Sequence, residues 1–293
     1  MQRERQIKSG KLLEIDFYPI FDDGRKMPTR APKTKKSTPE QQKYNATQAT
    51  KKFVRLVNAN FTNTDIFLGI TFPPQFAPQT EAEARRWIVN YLRRAKARRE
   101  AELRRIEKKI AEAGADAELE AKRAKLAEPF KYIYVIERET YKRGEYKGRD
   151  NWHYHLFISG GLDRDTMEEL CGANMRVNAR RFMPERFGPE AAARYCAKDP
   201  QGSKRFCYSR NLKKPVEKTR DGKITDRGVE KLATQKAHDR EFWEKRHKGY
   251  KFVRSFARYN DFNGHWYVTA IMYRAEAGEE IPPWTRDDWQ EEF

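Results

Sequence analysis

The sequence predicts an α+β protein, an antiparallel sheet with flanking helices and a long basic helical hairpin, on three observations. Residues 131–139 and 152–158 are rich in β-branched and aromatic side chains and are joined by a connection holding two glycines and four Lys or Arg. That is the pattern of two strands that are hairpin neighbours. Residues 66–72 are apolar on both faces and stopped by Pro73-Pro74, which reads as a central strand. Residues 80–127 carry the longest helical pattern in the chain, with Ala113-Gly114-Ala115-Asp116 folding it into a hairpin.

The elements follow in order. Leu13, Ile15 and Phe17 alternate with Glu14, Asp16 and Tyr18, as in a half-buried strand. Residues 27–42, rich in Lys, Pro and Thr, read as a flexible basic arm; its Arg30, Lys33, Lys35 and Lys36 suit either a groove or a plain linker. A helix is expected over 42–58. Thr80 with Glu83 forms a capping box ahead of the stripe Trp87, Ile88, Tyr91 and Leu92. The cluster Arg93, Arg94, Lys96, Arg98 and Arg99 fits a solvated helix laced with ion pairs or a contact to a DNA backbone. A short helix at 163–171, a strand within 174–182, a helix opened by Gly188-Pro189 and ended before Asp199-Pro200, a single helix over 226–245 and a strand over 264–273 complete the pass. An acidic tail begins at Glu276.

Composition narrows the partners. Among 293 residues, 61 Lys and Arg against 43 Asp and Glu leave a net charge of +18, which favours polyanions. Aromatics make up 13% of the chain, enough to supply stacking surfaces beside the cations. No apolar run is long enough to span a bilayer and none follows the charged N-terminus, so the expected setting is cytoplasmic, without a membrane. Cys171, Cys196 and Cys207 form no CxxC pair and are expected reduced. The absence of a GxxxxGK[ST] loop argues against an NTP-driven motor.

The stretch Trp152 to Gly161 organises the rest. On a strand, His153, His155 and Phe157 share one face and Trp152, Tyr154, Leu156 and Ile158 the other. Taken alone, two histidines on one face are more often packed or surface residues than ligands. Beside a neighbouring carboxylate they could hold a divalent cation with open positions. Ile133, Val135, Glu137 and Glu139 share a face of the adjacent strand, which makes Glu137 the first choice and Glu139 the second. Tyr195 and Lys198 lie one helical turn apart and pair a potential nucleophile with a cation. Tyr208, in a similar basic setting, is the alternative nucleophile. His238, His247 and His265 are scattered and carry no assigned role.

These residues carry a resemblance. His153-Tyr154-His155 resembles the His-hydrophobic-His signature of HUH endonucleases, Tyr195-Cys196-Ala197-Lys198 their YxxK motif, and Phe67-Leu68-Gly69-Ile70-Thr71-Phe72 a first motif of the form FLTxTF. Their order and spacing are similar to single-tyrosine rolling-circle replication initiators of plasmids, small phages and bacterial mobile elements, over roughly residues 50–215. The resemblance implies a five-stranded antiparallel sheet of ferredoxin or RNA-recognition type. It implies Mg²⁺ or Mn²⁺ on His153, His155 and Glu137, with Tyr195 as nucleophile assisted by Lys198. It further implies nicking and joining of single-stranded origin DNA, commonly presented as a hairpin, with a host polymerase and helicase as partners. Arg194, Arg205, Arg210, Lys213 and Lys214 are the expected DNA contacts. The expected divisions are 1–49 (strand and basic arm), 50–215 (catalytic domain with the 80–127 hairpin) and 216–293 (a helix and strand packing on it). A relaxase or transposase of the same class, a zinc hydrolase, and a non-catalytic single-stranded DNA binder are the competing readings.

Overall fold

The computed structural model describes residues 1–21, 38–172, 175–182 and 204–275. Ten strands among these residues are β1 (Gln2–Ser9), β2 (Leu12–Pro19), β3 (Ile66–Thr71), β4 (Tyr132–Thr140), β5 (Asp150–Ile158), β6 (Arg176–Arg181), β7 (Cys207–Tyr208), β8 (Val216–Asp221), β9 (Lys251–Asn260) and β10 (His265–Tyr273). Six helices among the described residues are α1 (Pro39–Asn60), α2 (Glu81–Ala113), α3 (Ala117–Ala127), α4 (Arg164–Glu169), α5 (Asp226–Lys231) and α6 (Arg240–Arg246). The fold is α+β, with two five-stranded sheets whose strand pairs are all antiparallel.

The chain divides into two units, residues 1–59 with 214–293, and residues 60–213. In the first, the sheet order is β8-β1-β2-β10-β9, so the two ends of the sequence meet in one sheet. The expected alternation in β2 is present: Leu13, Ile15 and Phe17 are buried against Val229, Leu232 and Trp243. β1 is a strand that hydrophobic periodicity does not announce, because its sequence is QRERQIKS. Ion pairs replace apolar alternation there: Arg3 with Asp221 at 2.6 Å, Arg5 with Asp16 at 2.7 Å, and buried Glu4 with Arg246 at 2.7 Å. The single helix expected over 226–245 is instead α5, a π-helical stretch Leu232–Lys236, and α6. Asp239 starts the chain afresh, accepting from the Phe242 N–H at 3.0 Å, and this local cap outcompetes continuation of the helix.

In the second unit, the sheet order is β6-β3-β5-β4-β7, so β5 is the central strand and β3, expected to be central, is an interior strand between β6 and β5. One face of the sheet is core. Leu68, Ile70, Tyr134, Ile136, Trp152, Tyr154, Leu156 and Ile158 are buried against Ala84, Ile88, Tyr91, Leu92 and Ala95 of α2 and Met167 of α4. Tyr154 is fully buried between Phe72 and Trp87, and its hydroxyl donates to the Ala84 carbonyl at 2.8 Å. Thr80 caps α2 by accepting from the Glu83 N–H. Helices α2 and α3 are joined at Gly114 and run antiparallel, with Glu102 held by Lys122 at 2.9 Å and by Arg105 at 2.8 Å. Arg99 departs from the exposed basic cluster expected of α2. It is buried, and its guanidinium donates to the Gly160, Glu128 and Lys125 carbonyls.

Candidate nucleic-acid-processing face

Register alone places the site. Glu137 on β4 stands opposite His153 on β5, which stands opposite Thr71 on β3, which stands opposite Arg176 on β6. One row along, Val135, His155, Gly69 and Asn178 form the next line. Directly opposed residues in an antiparallel pair point to the same side. The imidazoles, both carboxylates and the β6 side chains Arg176, Asn178 and Arg180 therefore share the face opposite the core.

Each imidazole meets a carboxylate on a diagonal. His155 Nε2 lies 3.0 Å from Glu137 Oε2, and its ring stacks on Phe67 at 6.3 Å. His153 Nε2 is 3.3 Å from Glu139 Oε2 without the alignment of a hydrogen bond. Its Nδ1 is 2.9 Å from the Thr71 hydroxyl. Burial pulls the His153 pKa down, partly opposed by Glu139, so the ring is neutral near pH 7. Thr71 thus holds one ring nitrogen of His153 and leaves Nε2 facing Glu139, a placement similar to the way outer partners orient metal-ligating histidines. Thr71 touches the candidate site although reasoning on single residues passes over it; it sits in the stretch that resembles the first initiator motif.

The donor chemistry suits a divalent cation, since imidazole nitrogen and carboxylate oxygen are accepted by Mn²⁺ and, for the oxygens, Mg²⁺. A 3.0 Å separation of nitrogen and oxygen fits a shared proton, and it equally fits adjacent corners of an octahedral cation with bonds of about 2.1 Å. The carboxylates are held as two imidazole pairs. Among the described residues, no group of three or more His, Cys, Asp or Glu side chains converges on one point. Glu137 is the better enclosed of the two carboxylates, its side chain 20% exposed against 73% for Glu139.

The face is covered around His155, which is buried with Val135 beside it, and opens toward the exposed Glu139. Phe157 is buried beneath Phe67, Phe61 and Phe182, at 4.8, 6.0 and 5.1 Å between ring centres. Beside His155, a Cβ added to Gly69 would meet no described atom within 4 Å, so the chain itself does not fill the space this glycine leaves.

The remaining site residues fall elsewhere. Tyr195, Lys198 and Arg194 lie outside the described residues, as do Cys196 and the basic-arm cations. Phe182, the last residue described before the segment that holds Tyr195, sets its ring against Phe157 on the imidazole face. Tyr208 on β7 pairs with Ile133 and is 40% exposed on that same face. Arg210 and Lys213 belong to the turn that follows: Ser209 N–H donates to the Tyr132 carbonyl and Lys213 N–H to Asn60 Oδ1. That is the end of β4 five residues from Glu137, roughly 17 Å along a strand. Arg205 precedes β7, and Lys214 belongs to the other unit. Cys171 is a free, buried thiol, pushed up to about 12 by its burial, and Cys207 is also free. Among the described residues, no helix is long and apolar enough to cross a membrane.

Comparison with family models, with curated proteins and with solved structures finds no match.

Proposed function

We propose that residues 60–213 form a metal-assisted nuclease-transferase acting on single-stranded DNA, with the five-stranded sheet as an HUH-type palm. Within that class, the reading that fits best is a rolling-circle replication initiator that nicks and rejoins origin DNA. One observation carries it: His153 and His155 share a sheet face with Glu137 and Glu139, while the other side of the same strand packs against the helices. The ordered motifs at 67–72, 153–155 and 195–198 add to it.

In this reading His153, His155 and Glu137 would hold a divalent cation, which would polarise a phosphodiester oxygen and absorb charge in the transition state. The Tyr195 phenol oxygen attacks phosphorus; a P–O bond to tyrosine forms as the P–O3′ bond breaks. The phenol proton is lost, the 3′ oxygen leaves as a hydroxyl primer, and the 5′ phosphate stays on the protein. Because one phosphoester replaces another, the step reverses on rejoining. Lys198, three residues after Tyr195 in the sequence, offers positive charge to the phosphate or the phenolate. Thr71 and Phe67 hold the two rings.

Labelled single-stranded DNA from the sequence flanking the gene, with Mn²⁺, is expected to give a covalent adduct and a free 3′ hydroxyl product. Loss of the adduct in His153→Ala and His155→Ala is expected. Cleavage that leaves no adduct would refute the transferase reading. A non-catalytic single-stranded DNA binder is the second reading, favoured by the carboxylates already being engaged by the imidazoles. It predicts binding without cleavage at any metal concentration.

A further inference from the structure

The open end of the imidazole face is bordered by the connection between β4 and β5. This loop is ordered by its own backbone. Tyr141 N–H donates to the Arg149 carbonyl at 2.9 Å, Gly148 N–H to the Tyr141 carbonyl at 2.9 Å, and Arg149 N–H to the Tyr146 carbonyl at 3.0 Å. Tyr141 and Tyr146 pair at 6.3 Å, and Arg149 sits over the Tyr146 ring at 5.7 Å. Lys142, Arg143, Lys147 and Arg149 are exposed, with Glu145 the one acid between them. Arg176 is also exposed, in the same cross-strand row as Thr71, His153 and Glu137. Two strand spacings of about 4.8 Å separate its backbone from that of His153, well within a guanidinium's reach of a group lying over the ring. Burial raises the Tyr141 pKa, with Arg176 opposing and Glu139 reinforcing the rise, so loop, edge strand and site feel one another electrostatically.

Several cations of this unit already have a carboxylate: Arg85, Arg105, Lys122, Arg123, Lys125 and Arg138 each sit within ion-pair distance of one. Among the described residues, the four loop cations and Arg176 have no ion-pair partner. Unpaired cations beside accessible aromatic rings suit a single-stranded phosphodiester chain: cations take phosphates and rings take bases.

We infer that the β4–β5 loop and Arg176 form the cradle that lays single-stranded DNA across the imidazole face, with Arg143 and Arg176 on phosphates and Tyr146 stacking on a base. This rests on reading that face as the nicking surface. It also places the strand at the opposite end of the sheet from Arg210 and Lys213.

The test uses the full chain and a fluorescein-labelled 20-nucleotide oligothymidine in EDTA, with binding followed by anisotropy across a salt series. Arg143→Gln/Arg176→Gln is expected to weaken binding at least tenfold near 0.1 M salt. The log–log salt slope should fall by about 1.4, roughly 0.7 for each phosphate of a single strand that is no longer neutralised. The charge-matched Lys218→Gln/Arg220→Gln on β8 is expected to stay within twofold, and Tyr146→Ala to lose affinity with no change in slope. Equal binding by the wild type and Arg143→Gln/Arg176→Gln would overturn the cradle, as would a weakening that instead follows Arg210→Gln/Lys213→Gln. Adduct formation with Mn²⁺ is scored separately. An adduct from a protein whose cradle variants bind normally sinks the cradle alone. Loss of binding in the variants, with no adduct from the wild type, sinks the nicking reading and leaves the cradle standing.

Discussion

Arg99→Met separates a structural arginine from the basic surface in which its sequence hides it. The side chain is buried, and its guanidinium donates to three backbone carbonyls: Gly160 at 3.1 Å, Glu128 at 2.7 Å, and Lys125. These carbonyls belong to the end of α3 and to the glycine that follows β5, so one side chain ties the site strand's exit to α2 and α3. Burial pulls the guanidinium pKa down, with Glu128 and Asp65 opposing. Methionine keeps the aliphatic stem and removes all the donors. A hydrogen bond to a charged group contributes about 1.5–3 kcal/mol. The Lys125 and Glu128 carbonyls lie near solvent and recover water, so the net loss is expected to be about 3–4 kcal/mol rather than the full sum. For a unit of this size that lowers the melting temperature by roughly 6–16 °C. Urea melts of Arg99→Met and the exposed neighbour Arg98→Met, followed by circular dichroism, make the comparison. Arg98→Met is expected within about 0.5 kcal/mol of the wild type. Equal stabilities for the two variants would show that Arg99 is an ordinary surface cation and that the bracket is wrong.

Tyr154→Phe removes the buried hydroxyl bond to Ala84 and is expected to cost about 1 kcal/mol, read from the shift in urea midpoint at constant slope. Gly160→Ala would drive a Cβ into the Thr64 carbonyl oxygen, a backbone atom that cannot rotate away, and is expected to leave the protein insoluble or unfolded by circular dichroism. His247 is held down to about 4, first by burial and then by Arg246. The unfolded chain, with its histidine near 6.5, takes up the proton first. Its contribution is intact above pH 6.5 and is lost as pH falls toward 4, by roughly 2–3 kcal/mol, and His247→Gln should flatten that part of the stability profile. Glu137→Ala is expected to weaken Mn²⁺ binding about 10–100-fold by calorimetry and Glu139→Ala less, because Glu137 is the better enclosed carboxylate; the reverse order would reassign the third ligand.

What was legible in the sequence followed from period and punctuation. The strand at 152–158 has a strict two-residue alternation, so its imidazole and core faces could be assigned from the residues, and the β4–β5 pairing followed from a short connection. The cap at Thr80 and the reversal at Gly114 were likewise local. What escaped was set by distant partners. β1 is stabilised by Arg3, Glu4 and Arg5 meeting Asp221, Arg246 and Asp16, none of which a hydrophobic pattern registers. Arg99 has the sequence signature of its exposed neighbours and is distinguished only by three carbonyls brought to it by other elements. The break within 226–245 came from Asp239, a mid-helix capping residue that periodicity ignores. Thr71 and Arg176 joined the site through register across β3 and β6, a relation between strands that no single segment encodes.

The most direct test of the nicking mechanism is the identity of the residue that bonds to DNA. The protein is incubated with Mn²⁺ and single-stranded DNA from the sequence flanking its gene, digested, and the nucleotide-bearing peptide located by mass spectrometry. A phosphodiester on Tyr195 is expected, with no adduct from Tyr195→Phe. An adduct on Tyr208, or one that persists in Tyr195→Phe, would contradict the mechanism.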